Sequence, residues 1–427
     1  MNFIEKVTVD DFWGEHSLEF DFFDDVNFII GINGSGKTTV INLVVAALTA
    51  NFSELDRLEF SRIEIKLKSN ESRKKPIIVI SKKPLKQGPF TSIEYAVSNS
   101  SSEKPMVFTL EDYEEQMMLR RYPRHMIERE LYRRHGRSIS SALSKLVRVS
   151  WLSVHRAAPE PHDTRDEQFE STVDRRLKQL SDRLVRYFST LGKQGAVELE
   201  NFQKTVFLSM LYRKSGRNLF VAAKDIDVTE EKEALRGIFQ QFKVPEKDFK
   251  RRLDAHFDAL TKAKNKADDS EPVHYTPADI SVLIGTERID DIVEEWNKLL
   301  ERRQRIFQPR DQFLEILNAM MQRKTFDIDD QNELRITTQS GKNLPIYRLS
   351  SGEKQLLIVL GEALLQENGT WVYIADEPEL SLHVRWQESL VHNLRAINEN
   401  SQIVFATHSP DVVSTYSDKV FDMEQVL

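Results

Sequence analysis

The sequence contains no cysteine, which excludes disulfide bridges and thiolate metal sites. It has no apolar run of the length needed to span a bilayer, so no membrane association is expected. Met1 runs straight into strand-like sequence without a basic segment followed by an apolar one; no secretory leader is expected, and the cytoplasm is the expected location. Positive charge is also short overall: the net charge of −7 excludes a globally basic nucleic-acid binder. That average hides a local excess, because residues 57–150 carry 20 Lys and Arg against 11 Asp and Glu, a surplus of nine. What the chain does have is length: 427 residues at 40% hydrophobic content can bury a sizeable core and hold two or three domains' worth of structure.

Four short motifs carry the chemistry. The buried-strand run Val26–Ile30 ends at Gly31-Ile32-Asn33-Gly34-Ser35-Gly36-Lys37-Thr38-Thr39, a match to G-x-x-x-x-G-K-[ST], and a helical pattern follows at once. Strand, glycine loop and helix are the context in which this motif cradles phosphates. Backbone N–H groups of Asn33 to Thr39 and the helix N-terminus supply positive potential, Lys37 reaches the β and γ phosphates, and Thr38 can ligate Mg²⁺. ATP with Mg²⁺ is the ligand these residues suggest.

A second apolar strand, Trp371–Ala375, delivers Asp376 and Glu377 at its C-terminal end, where open α/β sheets bind ligands. Asp376 would complete the Mg²⁺ shell and Glu377 would act as base toward an attacking water. Upstream, Ser350-Ser351-Gly352-Glu353 stands before an apolar helix. Its small residues and free N–H groups suit an anion, while Ser350 with Glu353 also reads as an ordinary capping box; both uses draw on the same donors. Finally, the strand Ile403–Thr407 runs directly into His408, a side chain placed to sense a γ-phosphate.

In this order, the four elements resemble the ABC ATPase superfamily, in the soluble branch that includes the SMC, Rad50 and RecF heads and the OLD-type ATPases. The resemblance covers roughly residues 1–60 and 335–427. It implies an α/β P-loop head with a mixed sheet and a small antiparallel sheet, in which Lys37, Asp376, Glu377 and His408 act in one subunit. Ser350, Ser351, Gly352 and Glu353 would act in trans, on the nucleotide of the opposite subunit. A head-to-head dimer, open to growth into a higher oligomer, is therefore implied.

The string Asp376-Glu377-Pro378-Glu379-Leu380-Ser381-Leu382-His383 looks like OLD-type proteins and related anti-phage ATPases, with His383 where the superfamily usually has Asp. The chain runs only 19 residues past His408, too few for an appended TOPRIM nuclease. It thus looks most like the stand-alone ATPase subunits of two-gene defence systems such as the Septu and PARIS types, whose nuclease effector is a separate polypeptide. Gln87 is a weak candidate for the superfamily's glutamine switch. Arg156, after His155 at the end of the strand 146–154, is either a nucleotide-side arginine or a surface salt-bridge partner.

The expected organisation is an N-terminal part of the head over 1–160, a helical insertion over 161–330 serving as oligomer or partner interface, and the C-terminal part of the head over 331–427. Within the insertion, Val173, Leu177, Leu180, Leu184, Tyr187 and Leu191, and again Ile289, Ile292, Trp296 and Leu299, have coiled-coil spacing. Such stripes are most often plain core and otherwise an oligomer interface. Lys262–Glu271 reads as a polar loop. The N-terminal hairpin Phe3–Phe23 is expected to form the small antiparallel sheet, with Phe12 or Trp13 either stacked on adenine or packed in the core.

Arg120, Arg121, Arg124, Arg129, Arg133, Arg134 and Arg137, interleaved with Tyr122 and Tyr132, fit contact with nucleic acid, a solvated helix face or an acidic partner equally. Two functions follow. One is a regulatory ATPase that controls a nuclease in anti-phage defence; the alternative, carried by the arginine cluster, is a DNA-repair clamp of RecF or Rad50 type. The motor of a membrane transporter is disfavoured by the Ser-Ser-Gly-Glu-Lys signature and the large insertion.

Overall fold

The computed structural model describes residues 1–69, 74–84, 91–100, 103–110, 137–153, 172–209, 211, 227–268 and 274–427. From the N-terminus, β1 (Phe3–Phe12), β2 (His16–Asp21) and β3 (Val26–Ile30) lead into α1 (Lys37–Thr49). Helix α2 (Phe52–Arg57) precedes β4 (Arg62–Lys68), β5 (Ile77–Pro84), β6 (Thr91–Ser98) and β7 (Met106–Leu110). Helix α3 (Arg137–Leu146) and β8 (Val149–Ser153) come next, then the long helices α4 (Thr172–Ser209), α5 (Val228–Gln241), α6 (Glu246–Asp268) and α7 (Pro277–Met320). The C-terminal stretch alternates β9 (Lys324–Ile328), β10 (Leu334–Thr338), α8 (Ser351–Leu364), β11 (Trp371–Asp376), α9 (Val384–Ile397), β12 (Ser401–Ala406), α10 (Pro410–Val413), β13 (Val420–Asp422) and α11 (Met423–Val426).

The chain divides into two compact units, Met1–Tyr187 with Pro309–Leu427, and Phe188–Gln308. In the first, β13-β3-β12-β11-β8 form a parallel sheet. Its inner strands are apolar without alternation, and β12 is buried along its whole length, as a strand covered on both faces must be. A second sheet, β2-β1-β4-β5-β6-β7, is antiparallel throughout. There β4 (RIEIKLK) buries every second residue, the pattern of a sheet with one solvated face. The Phe3–Phe23 hairpin is thus one end of a six-stranded sheet.

Helix α1 is apolar nearly all round, burying Val40, Ile41, Leu43, Val44, Val45, Ala46, Ala47 and Leu48, because it shares one core with both sheets. Tyr95 of β6 is fully buried, and its hydroxyl donates to the Ala47 carbonyl at 3.3 Å. The buried Gln402 amide joins the parallel sheet to the N-terminal strand: it accepts from Ile4 N–H at 2.8 Å and donates to the carbonyls of Ile4 (2.8 Å) and Phe23 (2.7 Å). These bonds fix the N-terminal segment against the strand that ends beside His408.

Among its described residues the second unit holds helices and short connecting segments but no strand. Phe249, Leu253, Phe257, Leu260, Ala263 and Leu283 form one cluster, and Phe202, Ile238, Trp296 and Leu299 another. Leu177, Leu180, Leu184, Tyr187 and Leu191 of the first stripe are buried, as are Trp296 and Leu299 of the second. Both stripes therefore pack as core. This helical unit, 188–308, is narrower than the expected 161–330, because α4 starts and α7 ends within the first unit.

The loop expected over Lys262–Glu271 is corrected in its first part, since α6 continues to Asp268. One small residue, the fully buried Ala263, anchors that turn, and Lys266 pairs with Asp279 at 2.7 Å. A single buried residue among charges leaves no apolar period for a sequence reading to find. Among the described residues, no helix is long and apolar enough to cross a membrane.

Candidate functional site

The loop 31–36 leaves β3 and turns into α1 through Gly36, whose φ of 92° lies in the left-handed region. A Cβ at this position would also come within 2.9 Å of the Trp13 ring, so only glycine fits. Trp13 is 39% exposed and stacks on the fully buried Phe12 at 4.7 Å between ring centroids. Phe12 is therefore core, whereas Trp13 presents an indole beside the loop.

Lys37 is buried, and its ammonium donates to the carbonyls of Gly31 (2.9 Å) and Ile32 (3.0 Å). Burial lowers its pKa, and the negative charges of Glu377, Asp376 and Glu379 offset part of that. Ser35 Oγ is buried without a hydrogen-bond partner among the described residues, an orphan donor of the kind a bound phosphate satisfies. Thr38 Oγ1 donates to Asp376 Oδ1 at 3.1 Å. A hydroxyl and a carboxylate brought together beside a phosphate-type loop are a hard-oxygen set suited to Mg²⁺.

Asp376 is the last residue of β11, and Glu377 follows with φ 48°, a left-handed conformation that costs a non-glycine residue energy. Its N–H is held by the Ala406 carbonyl at 2.8 Å. The strained turn thus swings the Glu377 carboxylate off the strand direction while the parallel neighbour fixes its backbone. His408, at the end of β12, places Nε2 at 3.6 Å from Glu377 Oε1, and both side chains stay partly exposed. Lys37, Thr38, Asp376, Glu377 and His408 accordingly meet at the C-terminal ends of β3, β11 and β12, while Asn33 and Gly34 form the exposed outer part of the loop and Thr39 is half-buried in α1.

Glu379 belongs to the same cluster and was not among the site residues read from the sequence. Its Oε1 accepts from Thr407 Oγ1 at 2.5 Å and from His408 N–H at 3.1 Å. Burial raises its pKa, and hydrogen bonds from Thr407 and His408 oppose that rise. Gln355 Nε2, also buried, donates to the Pro378 carbonyl at 2.7 Å and ties α8 to the turn after Glu377.

Ser350, Ser351, Gly352 and Glu353 form the start of α8. Ser350 and Glu353 make both bonds of a capping box, with Ser350 N–H donating to Glu353 Oε2 at 2.8 Å. Burial raises the Glu353 pKa, but the bonded Lys324 and Ser350 more than offset it and leave the carboxyl below its ordinary value. Gly352 lies against the turn after Glu377, where a Cβ would run into the Ser381 carbonyl. Ser350 and Ser351 remain exposed. His383 is the N-cap of α9, its Nδ1 accepting from Arg385 N–H at 3.3 Å. Gln87, His155, Arg156 and the run Arg120–Arg134 lie outside the described residues, as does the Arg137 side chain.

The chain is similar to "Retron Vc95 probable ATPase" of Vibrio cholerae, 29% identical over 176 residues, which are 36% of this chain and 34% of that protein. It is also similar to "Retron Ec83 probable ATPase" of Escherichia coli, 30% identical over 109 residues, 23% of this chain and 19% of that protein. The alignments therefore span about a third and about a fifth of these relatives' lengths. Among solved structures, the SMC head domain from Thermotoga maritima aligns over 98% of this chain and 94% of its own at 12% identity, with a TM-score of 0.41. The AAA ATPase domain family matches residues 3–413, nearly the whole chain, with the phosphate loop and the carboxylate and histidine strand ends all inside the match. This chain belongs to the AAA ATPase domain family.

Proposed function

We propose that the chain binds and hydrolyses ATP at a site completed by a second copy, and that it serves in the cytoplasm as the regulatory ATPase of an anti-phage system that controls a separate nuclease. The observation that carries the hydrolytic part is the meeting of Lys37, Thr38, Asp376, Glu377 and His408 at one edge of the parallel sheet. Mg²⁺, held by Thr38 and Asp376, would supply charge neutralisation at the phosphates. Lys37 would release the loop carbonyls and turn its ammonium to the phosphate oxygens, and the orphan Ser35 hydroxyl would donate to them.

Glu377, fixed by its backbone and partly exposed, accepts the proton of the attacking water. His408 beside it donates from Nε2 toward the γ-phosphate. The exposed Ser351 offers N–H and O–H donors to the nucleotide of a facing copy, and Ser350, capped by Glu353, sets the start of the helix that presents them. The defence assignment is supported by the Glu379–His383 string and by similarity to retron ATPases.

The test uses purified wild type, Lys37→Ala and Glu377→Gln. Lys37→Ala loses ATP binding. Glu377→Gln binds ATP, lowers kcat by about 10²–10⁴-fold, as removal of a general base does, and accumulates a dimer in ATP and Mg²⁺. Wild-type turnover by Glu377→Gln would sink the assignment of the base. Purified from its host in ATP, the tagged Glu377→Gln protein should carry a stoichiometric nuclease; recovery with salt-labile DNA instead would favour the repair clamp.

A further inference from the structure

We infer that Glu379 is a positioning residue for hydrolysis: through Oε1 it holds the Thr407–His408 peptide so that the His408 imidazole stays beside Glu377. This rests on the ATPase reading above. The argument is geometric. Glu379 and His408 sit on different segments, the turn after β11 and the end of β12, which are parallel neighbours with Asp376 opposite Ala406. Past that last pair, Glu377 N–H bonds Ala406 O, and beyond it no further backbone bond joins the two segments among the described residues.

Glu379 takes over at that point. One carboxylate oxygen receives both the Thr407 hydroxyl (2.5 Å) and the His408 N–H (3.1 Å), on consecutive residues, and so fixes the direction in which the chain leaves the sheet. The residue is only 6% exposed, and its other oxygen, Oε2, has no hydrogen-bond partner among the described residues. A buried carboxyl that leaves one oxygen unsatisfied is costly, and a neutral or apolar residue would suit stability alone better. The turn it stands on is secured from the other side by Gln355 at the Pro378 carbonyl. Thr407 N–H also bonds Ile29 O at 3.1 Å and Ser409 Oγ bonds Gln387 at 2.7 Å, but Glu379 is the buried acceptor that takes the His408 N–H itself, while the His408 side chain, 3.6 Å from Glu377, stays partly exposed.

The experiment measures steady-state ATP hydrolysis and equilibrium ATP binding for the full chain carrying Glu379→Ala, Glu379→Gln and His408→Ala, and for the Glu379→Ala/His408→Ala double variant. Glu379→Ala should lower kcat by about tenfold to a hundredfold, the scale of a misplaced catalytic group, with ATP affinity within about twofold of wild type. Glu379→Gln, which keeps a side-chain oxygen acceptor, should recover most of the lost rate. In the His408→Ala background, Glu379→Ala should cost little more, because the two act as one unit. If Glu379→Ala does not fold, Thr407→Val removes one of the two donors and should show the same split between kcat and affinity.

Wild-type kcat in Glu379→Ala, or a full additional loss in the His408→Ala background, would overturn the proposal. A wild-type protein that binds ATP but never hydrolyses it would instead overturn the ATPase reading, and this inference with it.

Discussion

Helix α1 starts at Gly36 with a left-handed N-cap, no side-chain oxygen on its first N–H groups and no acid in its first turn. Helix α8 starts at Ser350 with a complete capping box and Glu353 in its first turn. Both are read as phosphate-facing helix ends, yet they manage the same four orphan N–H groups in opposite ways. The first keeps its donors and its dipole for an anion and places Lys37 behind them. The second already satisfies part of its own end, and its carboxylate is held in place by Lys324. A self-satisfied helix end is stable alone and gains less from a phosphate, which suits a surface that meets nucleotide only when a partner brings it. An unsatisfied end gains most from its own ligand.

The largest effect should come from filling the glycine at the open end. Gly36→Ala forces a methyl-bearing residue to φ 92° and drives its Cβ within 2.9 Å of the Trp13 ring. We expect about 1–3 kcal/mol of destabilisation from the backbone alone, together with loss of ATP binding, read by chemical denaturation and nucleotide titration. Adding Trp13→Ala removes the closest contact but leaves the buried Phe12 ring at 3.2 Å and the φ, so it should restore stability only in part. Full recovery would mean that Gly36 is required for space and not for conformation.

At the closed end the effect should be smaller and of another kind. Ser350→Ala removes a cap and should cost about 1 kcal/mol of stability, while ATP affinity of the single chain stays unchanged. On the proposed reading hydrolysis at saturating ATP should fall, because the start of α8 that faces the other copy's nucleotide loses the cap that sets it. A drop in single-chain ATP affinity would break the comparison by showing that α8 serves the nucleotide of its own chain.

Much of this site was legible because its signals are local. Val26–Ile30, Trp371–Ala375 and Ile403–Thr407 are short apolar runs ended by turn or polar residues, and they form β3, β11 and β12 with their reactive residues at the C-terminal ends. The box at Ser350 and Glu353 was legible from its S-x-x-E spacing. Glu379 was not, since what distinguishes it from an ordinary turn acid is its burial and its bonds to residues 28 and 29 positions away. Strands β4 to β7 were missed for a related reason. A sequence such as RIEIKLK alternates cleanly, but its charges read as surface until pairing with β1 and packing in the core shared with α1 bury Ile63, Ile65 and Leu67.

A contrast that shows only as a pH dependence lies in the second unit, where another first-turn acid behaves opposite to Glu353. Glu231 opens α5, is buried, and is pushed up to about 9 by burial first, then by a hydrogen bond and repulsion from Asp290 and by Asp227, with Lys264 of α6 opposing. An acid whose folded pKa is raised binds more protons folded than unfolded. Stability it contributes is therefore complete below about 4.5 and declines as pH climbs toward about 9. Glu353 has the reverse sign: its depressed pKa stabilises above the ordinary carboxylate range, and that contribution is lost as pH falls through the folded value. Glu231→Gln, which imitates the neutral form, should thus match wild type in denaturant midpoint near pH 5 and exceed it increasingly toward pH 9. Glu353→Gln should fall below wild type at neutral pH and approach it in acid. If Glu231→Gln loses stability evenly at every pH, the contribution of Glu231 does not depend on its protonation, and the contrast between the two acids fails.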